Sequence, residues 1–190
     1  MKLWVLSDWH LETRLAWSPV RPEEFDILIC AGDVDNDLVR AIEAVALLAD
    51  AKPSVFVAGN HERAYSGWSR HAAAVQAAED YGVHFLENTA REVGGALFAG
   101  ATLWEQGHPR FQESVTALES FGADVIVTHF PPQSGLLFNA LAAGCLWVHG
   151  HHHGYADINF AGRRVVRNAV GYANEPLDGD PAILDLVVET

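Results

Sequence analysis

At 190 residues, 49% of them apolar and 19% charged, the chain has the composition of a globular protein long enough to bury a core, not of a disordered segment. Its 25 acidic against 12 basic side chains leave a formal net charge of −13 at pH 7. That balance argues against attraction to a nucleic-acid backbone or an anionic membrane surface. In chain order, the first predicted element is a β-rich run, Leu3 to Leu6. It runs straight into Ser7-Asp8 and is too short for a signal-peptide core, so no targeting segment is expected. A second run, Asp26 to Cys30, ends at Gly32-Asp33. Leu38 to Ala51 follows with apolar residues at 38, 39, 42, 45, 46 and 49, a helical spacing. The third run, Ser54 to Val57, ends at Gly59-Asn60-His61-Glu62. The Ala-rich stretch Ser69 to Asp80 predicts a second helix, with Gly82 as its stop. The second half reads as strands: Ala96 to Leu103, Val125 to Thr128, Leu146 to Val148, Ala156 to Phe160, Arg163 to Arg167 and Ala182 to Val188.

Strand–helix–strand units early and hairpins late predict a layered α/β domain with a mixed sheet or two stacked sheets. No linker or low-complexity segment interrupts residues 1–190, so one domain is expected. No stretch approaches the roughly 18 apolar residues of a membrane helix. Cys30 and Cys145 each sit in an apolar run, which reads as two buried, reduced thiols in a cytoplasmic protein rather than a disulfide.

The chemistry gathers where strands end, which is where open α/β folds place their ligands. Five strand ends deliver Asp8-Trp9-His10, Gly32-Asp33, Gly59-Asn60-His61-Glu62, His129, and Gly150-His151-His152-His153. Any one of these fragments reads as well as a turn or a hydrogen-bonded histidine. Together they hold six of the ten histidines, and each closes an apolar run. Carboxylate, amide oxygen and imidazole make a mixed oxygen and nitrogen donor set that suits Mn, Fe or Zn. Residues two apart on an extended segment share a side, which pairs Asp8 with His10 and His151 with His153 and turns His152 away.

The ordered pattern D-x-H, G-D, G-N-H-[DE], H, G-H-x-H, matched from Asp8 to His153, resembles the signature of the calcineurin-like metallophosphoesterases. That resemblance implies a four-layer α/β/β/α sandwich, with mixed sheets flanked by helices and two divalent metal ions at the sheet rim. Manganese is the first expectation, with iron, zinc, nickel or magnesium as alternatives. It implies one ion held by Asp8, His10, Asp33 and His153 and another by Asp33, Asn60, His129 and His151, with Asp33 shared. It further implies hydrolysis of a small-molecule phosphate ester by a hydroxide between the ions, with His61 protonating the leaving-group oxygen. Bound cations would reverse the negative field locally, so the chain's overall charge is no obstacle to such a substrate.

Other residues carry two readings each. Glu62 could orient His61 or be a solvated loop carboxylate. Arg14 and Arg63 could grip phosphate or be solvated. Trp9, Trp17 and Trp68 could wall a leaving group or simply pack. His149 reads as a hydrogen-bonded core residue, while His71, His84 and His108 carry no pattern.

The stretch Gly32-Asp33-Val34-Asp35-Asn36-Asp37 lacks the G-D-x-x-D-R-G arginine of the phosphoprotein phosphatases, and Ala58 replaces the arginine of their R-G-N-H-E. The chain is more similar to the family's small bacterial phosphohydrolases. There, a segment like Gly100 to Trp104 recurs with a late N-P-R-G-Y element, found here as Asn168-Ala169-Val170-Gly171-Tyr172. This points to a phosphodiester, with a phosphomonoester second. A non-catalytic module on the same fold would be expected to lose ligands or His61, and a His-rich metal store would carry them in one tract.

Overall fold

The computed structural model describes residues 1–13, 19–132, 145–160, 162–173, 175–176 and 179–190. Arg14 and Trp17, two of the residues given two readings above, lie outside the described residues. The elements in order are β1 (Lys2–Leu6), β2 (Ile27–Cys30), α1 (Leu38–Ala49), β3 (Ser54–Phe56), α2 (Asn60–Ser66), a 3₁₀ turn (Trp68–Arg70) and α3 (His71–Tyr81). There follow β4 (Val83–Phe85), β5 (Thr89–Val93), β6 (Ala96–Ala101), α4 (Phe111–Phe121), β7 (Val125–Thr128), β8 (Leu146–His149), β9 (Gly154–Phe160), β10 (Arg163–Ala169) and β11 (Val187–Glu189).

Two mixed sheets face each other. One has the order β11-β1-β2-β3-β4, the other β5-β6-β7-β8-β10-β9. In the first, β1 to β4 run parallel and β11 antiparallel. In the second, β6, β7, β8 and β10 run parallel between antiparallel partners. Leu3, Val5, Ile27, Ile29 and Val55 of one sheet pack against Phe98, Val125, Val127, Val148 and Val166 of the other. Trp4, Leu6, Leu28 and Phe56 turn instead toward Ile42 and Val45 of α1 and Ala74 and Ala78 of α3. On the far side, Ala99, Ile126 and Trp147 pack under Phe111, Val115 and Leu118 of α4. The order of layers is therefore helix, sheet, sheet, helix, the expected four-layer sandwich. Because central strands are covered on both faces, they read as continuous apolar runs rather than alternations.

Helix ends follow local chemistry. The Asp37 carboxylate accepts the N–H groups of Val39 and Arg40 at the start of α1, satisfying donors that a helix leaves unpaired. Gly82 ends α3 in the left-handed conformation, as its spacing predicts.

Other expectations need correction. Helix α1 stops at Ala49, because Asp50 and Ala51 adopt positive φ. Of the run 182–188 only its last two residues join a strand; the Asn168 side chain takes the Ile183 N–H and donates to the Ile183 carbonyl, so the backbone there bonds to a side chain rather than a sheet. Helices α2 and α4 and strands β4 and β5 were not anticipated. Both cysteines are free and buried. Among the described residues, no helix is long and apolar enough to cross a membrane.

Candidate metal centre

The carboxyl ends of β1, β2, β3, β7 and β8 open on one edge of the sandwich. A backbone seam joins the two sheets there: Ser7 pairs with Ala169, and the His129 ring Nδ1 donates to the Ala31 carbonyl at 2.9 Å. Across the seam the named side chains converge. Asp8, His10 and His153 have ligand atoms within 4.8 Å of one another, and so do Asp8, Asp33 and His129. Asp33 Oδ2 lies 3.3 Å from His129 Nε2, and Asp8 Oδ1 lies 3.3 Å from His153 Nε2. Asn60 Oδ1 sits 2.9 Å from His129 Nε2 and 3.0 Å from His151 Nδ1. His152 is exposed, outside these contacts. All seven side chains that the resemblance implies as ligands are thus in one place.

The route to this geometry differs from the extended chain inferred from spacing. Asp8, His10, Asp33 and His151 all have positive φ, between 49° and 66°. This left-handed region costs a residue bearing Cβ about 1 kcal/mol or more. Four such residues in one site are strain concentrated where side chains must turn inward. Local hydrogen bonds hold it: both Asp8 oxygens accept the His151 N–H, and Asp33 Oδ1 accepts the His61 N–H at 2.8 Å. At Gly59 space is decisive, since a Cβ there would overlap the Asp33 carboxylate.

Glu62 fits neither earlier reading. It is fully buried, and its carboxylate accepts the N–H groups of Asp33, Val34, Asp35 and Gly59. It therefore braces the Asp33 loop against the start of α2. Burial, followed by the Asp33 charge, raises its pKa to about 8, against the pull of those N–H donors. Arg63 is likewise neither solvated nor free for phosphate. It is buried, paired with Glu87, and lies over the Trp68 ring at 4.1 Å. Trp68 packs between Arg63 and Arg110, and Trp9 belongs to the core under α1. His149 is the expected core residue, its Nδ1 donating to the Gly150 carbonyl, and burial lowers its pKa to about 4.

The hydrogen bonds of the donor set fit it for cations. Nδ1 of His10 faces Glu12 at 3.0 Å, Nδ1 of His153 faces Glu175, and Nδ1 of His129 faces a carbonyl. Those acceptors fix the proton on Nδ1 and leave each Nε2 with its lone pair directed inward. His10 Nε2 and His153 Nε2 then point at each other across 3.4 Å, beside Asp8 Oδ1. His129 Nε2 points at Asn60 Oδ1 and Asp33 Oδ2. Acceptors aimed at acceptors require a cation or a proton between them. The charge balance agrees. Burial would lower the His129 pKa, but Asp33 first and Asp8 after it lift it to about 9, a proton standing where a metal would. Burial also opposes ionisation of Asp33, yet His129 and His61 hold its carboxyl well below the usual range. Burial, then His129, lowers His151 to about 4, leaving it a neutral donor.

Four residues at the rim were not singled out from sequence, or were given no role. His61 Nδ1 lies 3.2 Å from Asn36 Oδ1 and 3.6 Å from Glu12 Oε1. Its Nε2 lies 2.9 Å from the Tyr172 hydroxyl. Glu12 continues the two-residue rhythm of Asp8 and His10, a signal that was available. Tyr172 closes the late Asn168 to Tyr172 element, which carried no assigned role, while Asn36 and Glu175 carried no signal, because only tertiary folding brings them to the histidines.

In comparison with known proteins, the model of the calcineurin-like phosphoesterase family matches residues 1–167. The curated proteins give no match. Among solved structures, the phosphopantetheinyl hydrolase PptH from Mycobacterium tuberculosis superposes with a TM-score of 0.65 at 21% identity, covering 90% of this chain and 89% of that one. A putative 5'-nucleotidase from Staphylococcus aureus superposes with a TM-score of 0.51 at 14% identity, covering 87% of this chain and 48% of that one. At these identities the likeness is one of fold.

Proposed function

Since the chain belongs to the calcineurin-like phosphoesterase family, we propose that it hydrolyses a phosphate ester using two divalent cations. Asp8, His10, Asp33 and His153 would hold one ion, and Asp33, Asn60, His129 and His151 the other. The observation that carries this reading is the set of inward lone pairs: His10 Nε2 and His153 Nε2 meet at 3.4 Å, while each ring turns its Nδ1 to a carboxylate. When bound, such ions acidify a water and neutralise charge building on the phosphate oxygens. The chain's own residues do the rest. Asp33 orients the helix that carries His61, because its carboxylate accepts the His61 N–H. His61, held at Nδ1 by Asn36, presents Nε2 to donate a proton to the leaving-group oxygen. Such general acid help is worth roughly 10²–10⁴-fold. Manganese is the metal we expect.

We take the substrate to be a phosphodiester. Arg63, which could have met the second negative charge of a monoester, is committed to Glu87. Purified protein with Mn²⁺ is expected to hydrolyse bis-(p-nitrophenyl) phosphate, and either chelation or Asp33→Asn should return the rate to background. Turnover that survives chelation, or none on any diester or monoester with several divalent metals, would return the chain to a non-catalytic role on this fold.

A further inference from the structure

We propose that Tyr172 is a positioning residue for His61, an inference that rests on the acid role given to His61 above. The Tyr172 hydroxyl lies 2.9 Å from His61 Nε2, the atom that must face the leaving group. At the other end of the ring, Nδ1 meets Asn36 Oδ1 at 3.2 Å. An imidazole bonded at both nitrogens has little freedom to rotate. In the neutral ring Nδ1 donates to the amide oxygen, which leaves Nε2 to accept the phenolic O–H; in the protonated ring Nε2 donates to the same oxygen. A hydroxyl can serve both forms by turning its own hydrogen. When a leaving-group oxygen takes the Nε2 proton, the phenol can direct its O–H to that oxygen, so the bond made in the resting site is exchanged rather than lost.

The phenol is itself firmly held. Its ring stacks on the His10 ring, with centroids 4.0 Å apart and planes 29° apart. The preceding backbone is tied to the first strand end: the Val170 N–H donates to the Ser7 carbonyl and the Gly171 N–H to the Asp8 carbonyl, each at 3.0 Å. Gly171 has φ of +73°, and a Cβ there would come within 2.7 Å of the His153 side chain. Only glycine lets the chain pass this close to a proposed ligand and still deliver Tyr172 to the next one. The segment from Asn168 to Tyr172 thus acts as a strap that sets the outer face of the site.

The test is a double-mutant cycle on wild type, Tyr172→Phe, His61→Ala and the double variant, with matched p-nitrophenyl and phenyl esters and with bound metal measured in each. Tyr172→Phe should keep its metal and lose roughly tenfold more kcat on the phenyl ester than on the p-nitrophenyl ester, the size of one hydrogen bond. In the His61→Ala background the same change should add nothing. Equal loss on both esters, additive losses in the cycle, or loss of metal would overturn the proposal while leaving a leaving-group-dependent His61→Ala intact. A His61→Ala variant equally impaired on both esters would instead remove the acid role, and this inference with it.

Discussion

Around Asp33, Asn60 and His129 the restraints are largely main-chain groups, while around His10, His61 and His153 they are side chains. The Asp33 loop is fixed by four N–H groups converging on Glu62, and His129 by the Ala31 carbonyl. On the other side, Glu12, Glu175, Asn36 and Tyr172 hold imidazoles from loops. The groups held on the first side are buried main-chain N–H groups and a carbonyl beside the core strands, so losing a partner there strains the fold itself. Side-chain restraint can be removed one atom at a time. The first half should therefore behave as part of the fold, and the second as an adjustable fitting on it.

The largest effect should come from the inner brace. Glu62→Ala leaves four buried N–H groups without an acceptor and opens a void, for a loss of about 3–5 kcal/mol of folding stability. Denaturant unfolding would measure it, and a loss under about 1 kcal/mol would mean that the loop is held by other groups. The next effect belongs to the outer half. Glu175→Gln removes the carboxylate behind His153 and should weaken metal affinity at one of two sites by roughly 10–100-fold, with stability nearly unchanged. Calorimetric titration that shows both sites weakened equally would erase the distinction between the halves.

The smallest effect is set by pH. His129 is raised from 6.5 to about 9 and Glu62 from 4.5 to about 8, so the metal-free folded state holds protons that the unfolded chain releases. Their contribution is complete below each unfolded pKa and disappears as pH rises through the folded one. Metal-free protein should therefore lose a few degrees of melting temperature between pH 6.5 and 9. Metal-loaded protein should stay nearly flat over that range, because the ions displace the His129 proton. A metal-free melting temperature that climbs with pH would contradict the assignment.

The contrast between halves also explains what could be read from the chain. That the five strand ends meet at one edge was legible, because each follows an apolar run; which seven side chains to name there came from the family resemblance. A layered α/β domain was legible from the same runs, and the four-layer order from the family resemblance. Helix α4 carries Phe111, Val115 and Leu118 at helical spacing, a pattern masked by the strand-like runs on either side of it. Glu62 and Arg63 take their roles from partners distant in the chain. Nothing local tells a loop carboxylate that it will be buried under four amides, or an arginine that Glu87, 24 residues on, will meet it. Tyr172 lies 111 residues from His61, and no periodicity spans that distance.

The strap bearing Val170 and Gly171 falls beyond residue 167, where the family match stops, yet it ties down both Ser7 and Asp8. Synthesis runs from the amino end, and domains tend to organise as they emerge. The strand-end loops from Asp8 to His129 therefore leave the ribosome well before the segment that closes them. A nascent chain would present those histidines and carboxylates as a loose, open basin, and the final shape of the pocket must wait for Val170 and Gly171 to dock on the first strand end.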